Sequence, residues 1–267
     1  LVGPVAHDEL EAVSRLNLSM VLYNTATLNA LETKKLSVRL HLKVETGNHR
    51  QGVPPDQVVK LASQISTIPD LMLEGVCSHF ANIEDTTDHR YARRQQRIFA
   101  ETVDMLEADG HLGLIRHLSN SASALLWPDQ GFELVRIGIG AYGHWPSQET
   151  RVAAQLVGAD GLNLRAALTW KTRIAQVKEV PKGAYVGYGC TYMTTRPSRI
   201  AILPIGYFDG YDRALSNVGH ALCHGARAPV RGRVCMNITM IDITDIPQAE
   251  LHDEVVLIGA DGAEEVS

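Results

Sequence analysis

The sequence predicts an incomplete (β/α)8 barrel of the TIM type, followed by an all-β domain. In about the first 150 residues, short apolar runs alternate with amphipathic stretches of helical spacing, which is typical of a parallel sheet covered by helices. After about residue 150 the helical patterns stop, and short β-rich runs follow one another between glycines and turns. That second pattern indicates a sandwich or a small barrel.

The first half predicts six strand–helix units. Helical spacing appears in residues 8–15, 55–65 and 87–108, and Asp56 behind two prolines is a good helix start. A complete barrel takes roughly 250 residues. We therefore expect a barrel that lacks its first two units, with an open doubly-wound sheet as the alternative. The apolar runs expected to form strands are residues 1–3, 18–23, 38–44, 73–79, 115–119 and 134–137.

The second half predicts strands only. The chain is expected to divide into a barrel domain (1–150), a linker (151–165) and a β-rich domain (166–267). The β-rich runs are residues 167–177, 199–204, 220–223, 229–234, 238–243 and 254–258.

Composition excludes several classes of protein. The chain has 267 residues, of which 45% are hydrophobic and 21% charged, and its net charge of −5 favours neither nucleic acid nor an anionic membrane surface. No apolar run approaches the length of a membrane helix. The cysteines form no CxxC pair, so we expect free thiols, a cytoplasmic location and no metal site. They are Cys77, Cys190, Cys223 and Cys235.

The loops after the last two barrel strands are the first candidate site. Active sites of such barrels lie at the carboxyl ends of the strands, and phosphate groups often bind at the loops after the seventh and eighth. Here those loops carry Asn120 and Ser121, then Gly138 and Ile139. Hydroxyls and free backbone N–H groups suit a phosphate. A serine helix cap and a glycine turn are the alternative explanation.

Charged residues end the other predicted strands. Arg136 closes the eighth strand, where a buried guanidinium needs an acceptor, and His79 ends another strand at the same height. Lys43 and Arg50 flank a loop that contains Glu45, which suggests a site for a substrate carboxylate. A structural ion pair and a solvated loop are the alternatives.

Two segments of the β domain place tyrosines between glycines. Tyr188 lies between Gly187 and Gly189, and Tyr207 follows Gly206. A tyrosine presented in this way can act as an acid or a base, or can be an aromatic surface turn.

Taken together, these segments resemble the alanine racemases, which are pyridoxal-phosphate (PLP) enzymes of fold type III. The resemblance covers nearly the whole chain, in the order and spacing of the family. It implies a PLP-binding (β/α)8 barrel, a β domain and a head-to-tail homodimer with shared active sites. The matching stretches are residues 41–53, 75–85, 119–126, 135–147, 186–194, 202–217 and 228–244.

The resemblance also implies a role for individual residues. Tyr188 matches the catalytic tyrosine that reaches the active site of the partner subunit, and Arg136 matches the arginine facing the pyridine nitrogen. His79 matches a histidine that supports this arginine. The phosphate positions correspond to Asn120, Ser121, Gly138 and Ile139.

The remaining matches concern the substrate. Arg50 matches an arginine near the substrate carboxylate, and Lys43 matches a lysine that is often carbamylated and orients it. Met236 matches a position whose backbone N–H binds the carboxylate. Tyr207 and Arg213 match residues at the active-site entrance.

The implied function is interconversion of L- and D-alanine, which supplies D-alanine for peptidoglycan, by two acid/base groups on opposite faces of the substrate. The alternatives are a serine or broad-specificity racemase, a non-catalytic PLP-fold module and a decarboxylase of the same fold type. Asn237 stands where the family usually has Asp, so the substrate preference is open. The family motif with the cofactor-binding lysine does not occur in this sequence, so this chain is expected to be inactive by itself.

Overall fold

The computed structural model describes residues 1–158 and 161–266. It contains two compact units, Leu1–Arg165 and Ala166–Ser267. Ala159 and Asp160 of the predicted linker, and Ser267 of the predicted β-rich domain, lie outside the described residues. The limits predicted for the domains stay a prediction. None of the helices in the described residues is long and apolar enough to cross a membrane.

Unit 1 is built on a parallel sheet whose strands follow chain order. The strands are β1 (Ser19–Leu22), β2 (Val38–Lys43), β3 (Leu71–Cys77) and β4 (Ile115–His117). All three neighbouring pairs are parallel, as the strand–helix alternation predicts. The helices are α1 (Leu10–Arg15), α2 (Thr25–Thr33), α3 (Pro55–Thr67), α4 (Arg90–Ala108), α5 (Ser121–Leu126) and α6 (Gln148–Leu156).

Local sequence explains where these helices begin. The Asn24 side chain caps α2 by accepting the Thr27 N–H at 2.7 Å, and Pro55 occupies the first turn of α3. Leu28 of α2, Val58 of α3 and Phe99 of α4 are buried in one core with the strand residues. The apolar stripe of each helix therefore packs on the sheet.

The two outermost predicted strands, residues 1–3 and 134–137, are not regular strands. Both run beside the sheet: the Val21 N–H donates to the Leu1 carbonyl at 2.9 Å, and the Arg136 N–H donates to the Ser119 carbonyl at 3.0 Å. Their apolar side chains are largely exposed instead of buried, as with Val2 (60%). The apolar pattern was thus a poor guide to strand formation at these two edges. Leu1, Val2, Leu134 and Arg136 line one cavity of about 300 Å³, so the sheet curves and its two edges face a common interior.

The first part of the predicted linker is helical. Helix α6 contains residues 151–156, and the Ser147 side chain caps it by accepting the Thr150 N–H at 2.9 Å. Ala153 and Ala154 are buried, and the Thr150 hydroxyl donates to the Glu84 carbonyl at 3.2 Å. These contacts make α6 a part of unit 1.

Unit 2 consists of antiparallel strands in two sheets, and its described residues contain no α-helix. The run 167–177 divides into two strands, and the run 229–234 is largely outside a strand because β9 ends at Pro229. A proline has no N–H to donate to a ladder, which explains that end. The strands are β5 (Trp170–Arg173), β6 (Gln176–Val180), β7 (Ser198–Leu203), β8 (His220–Cys223), β9 (Ala226–Pro229), β10 (Thr239–Asp242), β11 (Glu254–Asp261) and β12 (Glu264–Val266).

Candidate active site

A small cavity lies at the carboxyl ends of the parallel strands of unit 1. Its volume is about 100 Å³. Lys43 is the last residue of β2, His117 is the last residue of β4, and His79 follows the end of β3. Catalytic residues are expected at this end of such a sheet. The lining residues are Val2, Val21, Lys43, Arg50, Gln51, Cys77, Ser78, His79, His117 and Arg136.

The Arg136 guanidinium is held by five acceptors. It donates to the carbonyls of Ser78 at 2.7 Å, His117 at 3.1 Å and Leu118 at 3.3 Å. It also meets Nδ1 of His117 and, at 3.2 Å, Nδ1 of His79. Since a guanidinium has donors only, both imidazole nitrogens accept. This arrangement fixes the guanidinium in the cavity wall.

Both histidines beside Arg136 are neutral at physiological pH. Burial, and then the positive charge of Arg136, lowers the pKa of His79 to about 4 and that of His117 to about 3. Burial also raises the pKa of the neighbouring Cys77 thiol to about 11, so this thiol stays uncharged.

We expect unit 1 to lose stability in acid. Below about pH 6.5 the histidines bind protons in the unfolded chain, whereas His117, facing His41, Arg136 and Lys43, stays neutral when folded until about pH 3. The unfolded state then holds more protons, so the free energy of unfolding falls by about 1.4 kcal/mol per pH unit for each such histidine. Urea unfolding followed from pH 7 to pH 4 measures this. A His117→Asn variant should show a shallower dependence, and an unchanged slope would contradict the assignment.

Lys43 is buried, and its amine donates to the Gln51 side chain at 3.2 Å. Burial, together with the charges of Arg50 and Arg136, lowers its pKa. Arg50 lines the same cavity and is exposed. Glu45 is bound by its own loop, since it accepts the Gly47 N–H at 2.5 Å. Lys43 and Arg50 therefore both line the cavity, whereas the Glu45 carboxylate is bound by the backbone of its own turn.

The two predicted phosphate loops are joined through one hydroxyl. Ser121 Oγ accepts the N–H groups of Gly138 at 2.9 Å and Gly140 at 3.2 Å, and Ile139 between them is half exposed. The Asn120 side chain caps α5 by accepting the Ser123 N–H at 3.0 Å. The alternative explanation predicted a serine as the helix cap. The cap is Asn120 instead, and the Ser121 hydroxyl binds the glycine loop.

Tyr188 of unit 2 is 74% exposed. Its glycine neighbours adopt positive φ, 74° at Gly187 and 73° at Gly189. A Cβ at Gly187 would lie 2.5 Å from Met240 Cε, and one at Gly189 would lie 3.1 Å from Arg233 Cζ. The positive φ favours glycine at both positions, and the tight turn that results presents the phenol to solvent.

The other predicted residues of unit 2 form a second group. The N–H groups of Tyr207 and Phe208 donate to the carbonyls of Cys235 (3.0 Å) and Met236 (2.9 Å). The Arg213 guanidinium lies 6.0 Å from the Tyr207 ring centre. Tyr207, Arg213 and Met236 are therefore neighbours within unit 2. Within unit 1, Lys43, His79 and Arg136 line one cavity, and Ser121 binds the glycine loop that follows Arg136.

Sequence reasoning missed three polar residues of unit 1. His41, Glu74 and His117 lie on β2, β3 and β4 and are bonded to one another and to Arg136. Each interrupts an apolar run that predicts a buried strand. A polar residue in a buried strand needs a partner, and that was the signal available in the sequence.

Comparison with known proteins identifies close similarity to one family along the chain. Residues 1–146 match the model of the alanine racemase N-terminal domain, and residues 167–267 match the model of the C-terminal domain. An alanine racemase of Leptospira interrogans is 38% identical over all of this chain and 69% of its own length. One of Halothermothrix orenii is 39% identical, with the same coverage.

Solved structures show the same similarity. Alanine racemase of Clostridium difficile 630 has a TM-score of 0.87 and 29% identity over 98% of this chain and 67% of its own. That of E. faecalis has a TM-score of 0.87 and 29% identity over 100% of this chain and 70% of its own. That of Bartonella henselae, solved with covalently bound pyridoxal phosphate, has a TM-score of 0.77 and 27% identity over 97% of this chain and 69% of its own. The predicted fold class, a (β/α)8-type barrel followed by an all-β domain, is confirmed.

Proposed function

The chain belongs to the alanine racemase family, and on this premise we propose that its residues interconvert L- and D-alanine around a PLP held in unit 1. The observation that carries this proposal is the guanidinium of Arg136, fixed in a cavity at the carboxyl ends of the strands, two residues before the Gly138 loop. Two residues span at most about 7 Å. One short segment therefore supplies a donor for a ring nitrogen and donors for a phosphate.

The donor set of unit 1 fits PLP. The Ser121 hydroxyl already accepts two backbone N–H groups, so its hydrogen is left to donate to a phosphate oxygen. We assign the phosphate to Asn120, Ser121, Gly138 and Ile139, and the pyridine nitrogen to Arg136. When bound, PLP withdraws electrons from the α-carbon of an amino acid and stabilises the carbanion left by loss of the α-proton.

Arg136 acts by donating without accepting a proton. A guanidinium has no acceptor, so it holds the ring nitrogen that faces it in the unprotonated form. This limits electron withdrawal and so disfavours side reactions such as transamination. The neutral imidazole of His79 accepts one guanidinium N–H at 3.2 Å and thereby orients the group.

Tyr188 is assigned as one of the two acid/base groups that racemisation needs. Its phenol is exposed on a glycine turn of unit 2, as expected of a side chain that serves a second molecule. We accordingly propose a homodimer with shared active sites, located in the cytoplasm, that supplies D-alanine for the cell wall.

The remaining residues are assigned to the substrate. Arg50, exposed on the cavity of Arg136, binds the carboxylate, and the backbone N–H of Met236 is a second donor to it. Lys43, whose pKa burial lowers, is assigned as the carbamylated lysine that orients Arg50. Tyr207 and Arg213, which are neighbours in unit 2, form the entrance.

The function is tested with the intact holoenzyme that carries this sequence. The absorbance spectrum should show bound PLP, and incubation with L-alanine should yield D-alanine much faster than incubation with L-serine yields D-serine. Faster racemisation of serine would show that serine, and not alanine, is the preferred substrate. Bound PLP without racemisation of either amino acid would contradict the proposed activity.

A Ser121→Ala variant should weaken PLP binding. It removes the acceptor of two backbone N–H groups and one donor to the phosphate, and each such bond contributes about 1 kcal/mol. The dissociation constant of PLP should rise at least about tenfold, as measured by fluorescence titration. Ser119→Ala is the matched control, because the bond of Ser119 to Arg136 uses the backbone carbonyl. Equal affinities of the two variants would contradict the assignment.

A further inference from the structure

A chain of hydrogen bonds leaves the candidate site through the interior of unit 1. Arg136 Nη1 contacts His117 Nδ1, and His117 Nε2 lies 2.8 Å from His41 Nδ1. His41 Nε2 lies 2.9 Å from a carboxylate oxygen of Glu74. His117 and His41 are 3% and 8% exposed. The chain thus joins the guanidinium to a carboxylate by way of two buried imidazoles.

Donor and acceptor chemistry gives every bond of this chain one direction. Arg136 only donates, so His117 Nδ1 accepts and the proton of the neutral ring is on Nε2. That proton is donated to His41 Nδ1, which leaves the proton of a neutral His41 on Nε2. His41 then donates to the Glu74 carboxylate, which only accepts. Every donor in the chain then has an acceptor. The chain carries a positive charge at Arg136 and a negative charge at Glu74.

The backbone of β3 is shaped to admit this chain. Leu40 pairs with Leu73 and His41 pairs with Gly75, so Glu74 is an extra residue in β3, a bulge that redirects its side chain. Gly75 pairs with His41 on β2 and with Ile115 on β4, and His117 is two residues further along β4. A Cβ at Gly75 would lie 2.7 Å from His41 Cε1 and 2.5 Å from the Ile115 carbonyl. The absence of a side chain at Gly75 lets the two rings meet across the strand.

Further contacts keep Glu74 ionised. Its carboxylate accepts the Ser19 hydroxyl at 2.5 Å and pairs with Arg39 at 3.1 Å. The Ser19 hydrogen bond, followed by those of the other partners, holds the pKa of Glu74 below its usual range against the opposing effect of burial. The far end of the chain therefore carries a full negative charge.

We propose that Glu74 is the remote counter-charge of Arg136, and that His41 and His117 are positioning residues whose tautomers it fixes. The carboxylate, which only accepts, requires the same direction of the bonds as the guanidinium, which only donates, so Nδ1 of His117 faces the guanidinium as an acceptor. Arg136 is then oriented, and its positive charge is compensated, without an anion beside the cofactor. No proton moves along the chain. The inference rests on the role proposed above for Arg136.

Nuclear magnetic resonance of protein labelled with 15N-histidine tests the direction of the chain. At pH 7 both His41 and His117 should be neutral with the proton on Nε2, in the apoprotein as well as in the holoenzyme. A proton on Nδ1 of His117, or a charged ring at either position, would overturn the proposal. This result does not depend on racemase activity, so failure of the proposed function is recognised separately, as a wild-type holoenzyme with these tautomers and no racemisation.

The variant Glu74→Gln tests the role of the charge, with Arg39→Gln as its control. Loss of the carboxylate should shift the ring resonances of His41 and His117 and lower kcat about tenfold, the factor that 1.4 kcal/mol represents, with KM for alanine little changed. Arg39→Gln removes the outer ion pair with Glu74 and a bond to the Asn17 carbonyl, and it should leave kcat and both rings as they are. If Arg39→Gln reproduces the loss, or if Glu74→Gln leaves His117 unaffected, the proposal is wrong. Where Glu74→Gln does not fold, the tautomers of the wild-type protein still test the direction of the chain, and the wrong tautomer at His117 overturns the proposal.

Discussion

Replacing Tyr188 with phenylalanine should lower kcat for alanine racemisation by about 10²- to 10⁴-fold, the usual contribution of a positioned general acid or base. The substitution removes one hydroxyl and keeps the ring. Because Tyr188 is 74% exposed, thermal stability and PLP absorbance should not change. The rate of D-alanine formation, measured with saturating L-alanine, gives the effect directly.

Tyr185→Phe provides the matched control, since Tyr185 lies on the same segment and is 60% exposed. Its kcat should stay at the wild-type value. An equal loss of kcat in the two variants would show that the segment needs both tyrosine hydroxyls for structural reasons. A Tyr188→Phe enzyme with full kcat would remove Tyr188 from the acid/base pair.

Mixed dimers decide whether Tyr188 serves its own subunit or its partner. A Tyr188→Phe subunit and an Arg136→Met subunit are each expected to be inactive as homodimers. If the tyrosine acts in the partner's site, a heterodimer of the two regains one intact site and about half the wild-type kcat per dimer, because the two lesions fall in the same site. If it acts within its own subunit, the heterodimer stays inactive and the shared-site proposal fails.

The sequence predicted the architecture well where burial and periodicity agree. Strand β2 and helix α3 combine a buried face with clear boundary residues, and Pro54 and Pro55 mark the start of α3. The apolar residues of segment 134–137 predict a buried strand, and this prediction is wrong because the segment is not buried. There the chain follows the sheet edge with Val135 (44%) and Ile137 (43%) exposed, and no local pattern distinguishes such an edge from a buried strand.

The candidate site was predictable only in part. Arg136 and Tyr188 lie in local motifs that indicate their chemistry. Arg136 precedes a glycine loop, and Tyr188 lies between two glycines. Glu74 and His117 are 43 positions apart in the sequence, and their connection depends on a bulge in β3 and on strand register. Register is a property of the assembled sheet, so spacing along the chain contains no sign of it.

Gly75 is a position where one added methyl group should disturb the arrangement of β2, β3 and β4. It sits in the middle of β3, between two neighbouring strands. The methyl of an alanine would lie 2.5 Å from the Ile115 carbonyl, which is backbone and cannot rotate away, and would also meet the His41 ring. Either the spacing of β3 and β4 or the bond between His41 and His117 must give way.

Gly75→Ala should therefore destabilise unit 1 by about 1–3 kcal/mol, the usual cost of overpacking a core, and should separate His41 from His117 in whatever protein still folds. Urea unfolding measures the first effect, and the histidine resonances measure the second. Gly3→Ala is the control, because a Cβ at Gly3 meets no atom within 4 Å, and its stability should match the wild type. If Gly75→Ala is as stable as Gly3→Ala and keeps both histidine resonances unchanged, then β3 has room for a side chain at this position. In that case the His41–His117 contact does not depend on the absence of a side chain at Gly75.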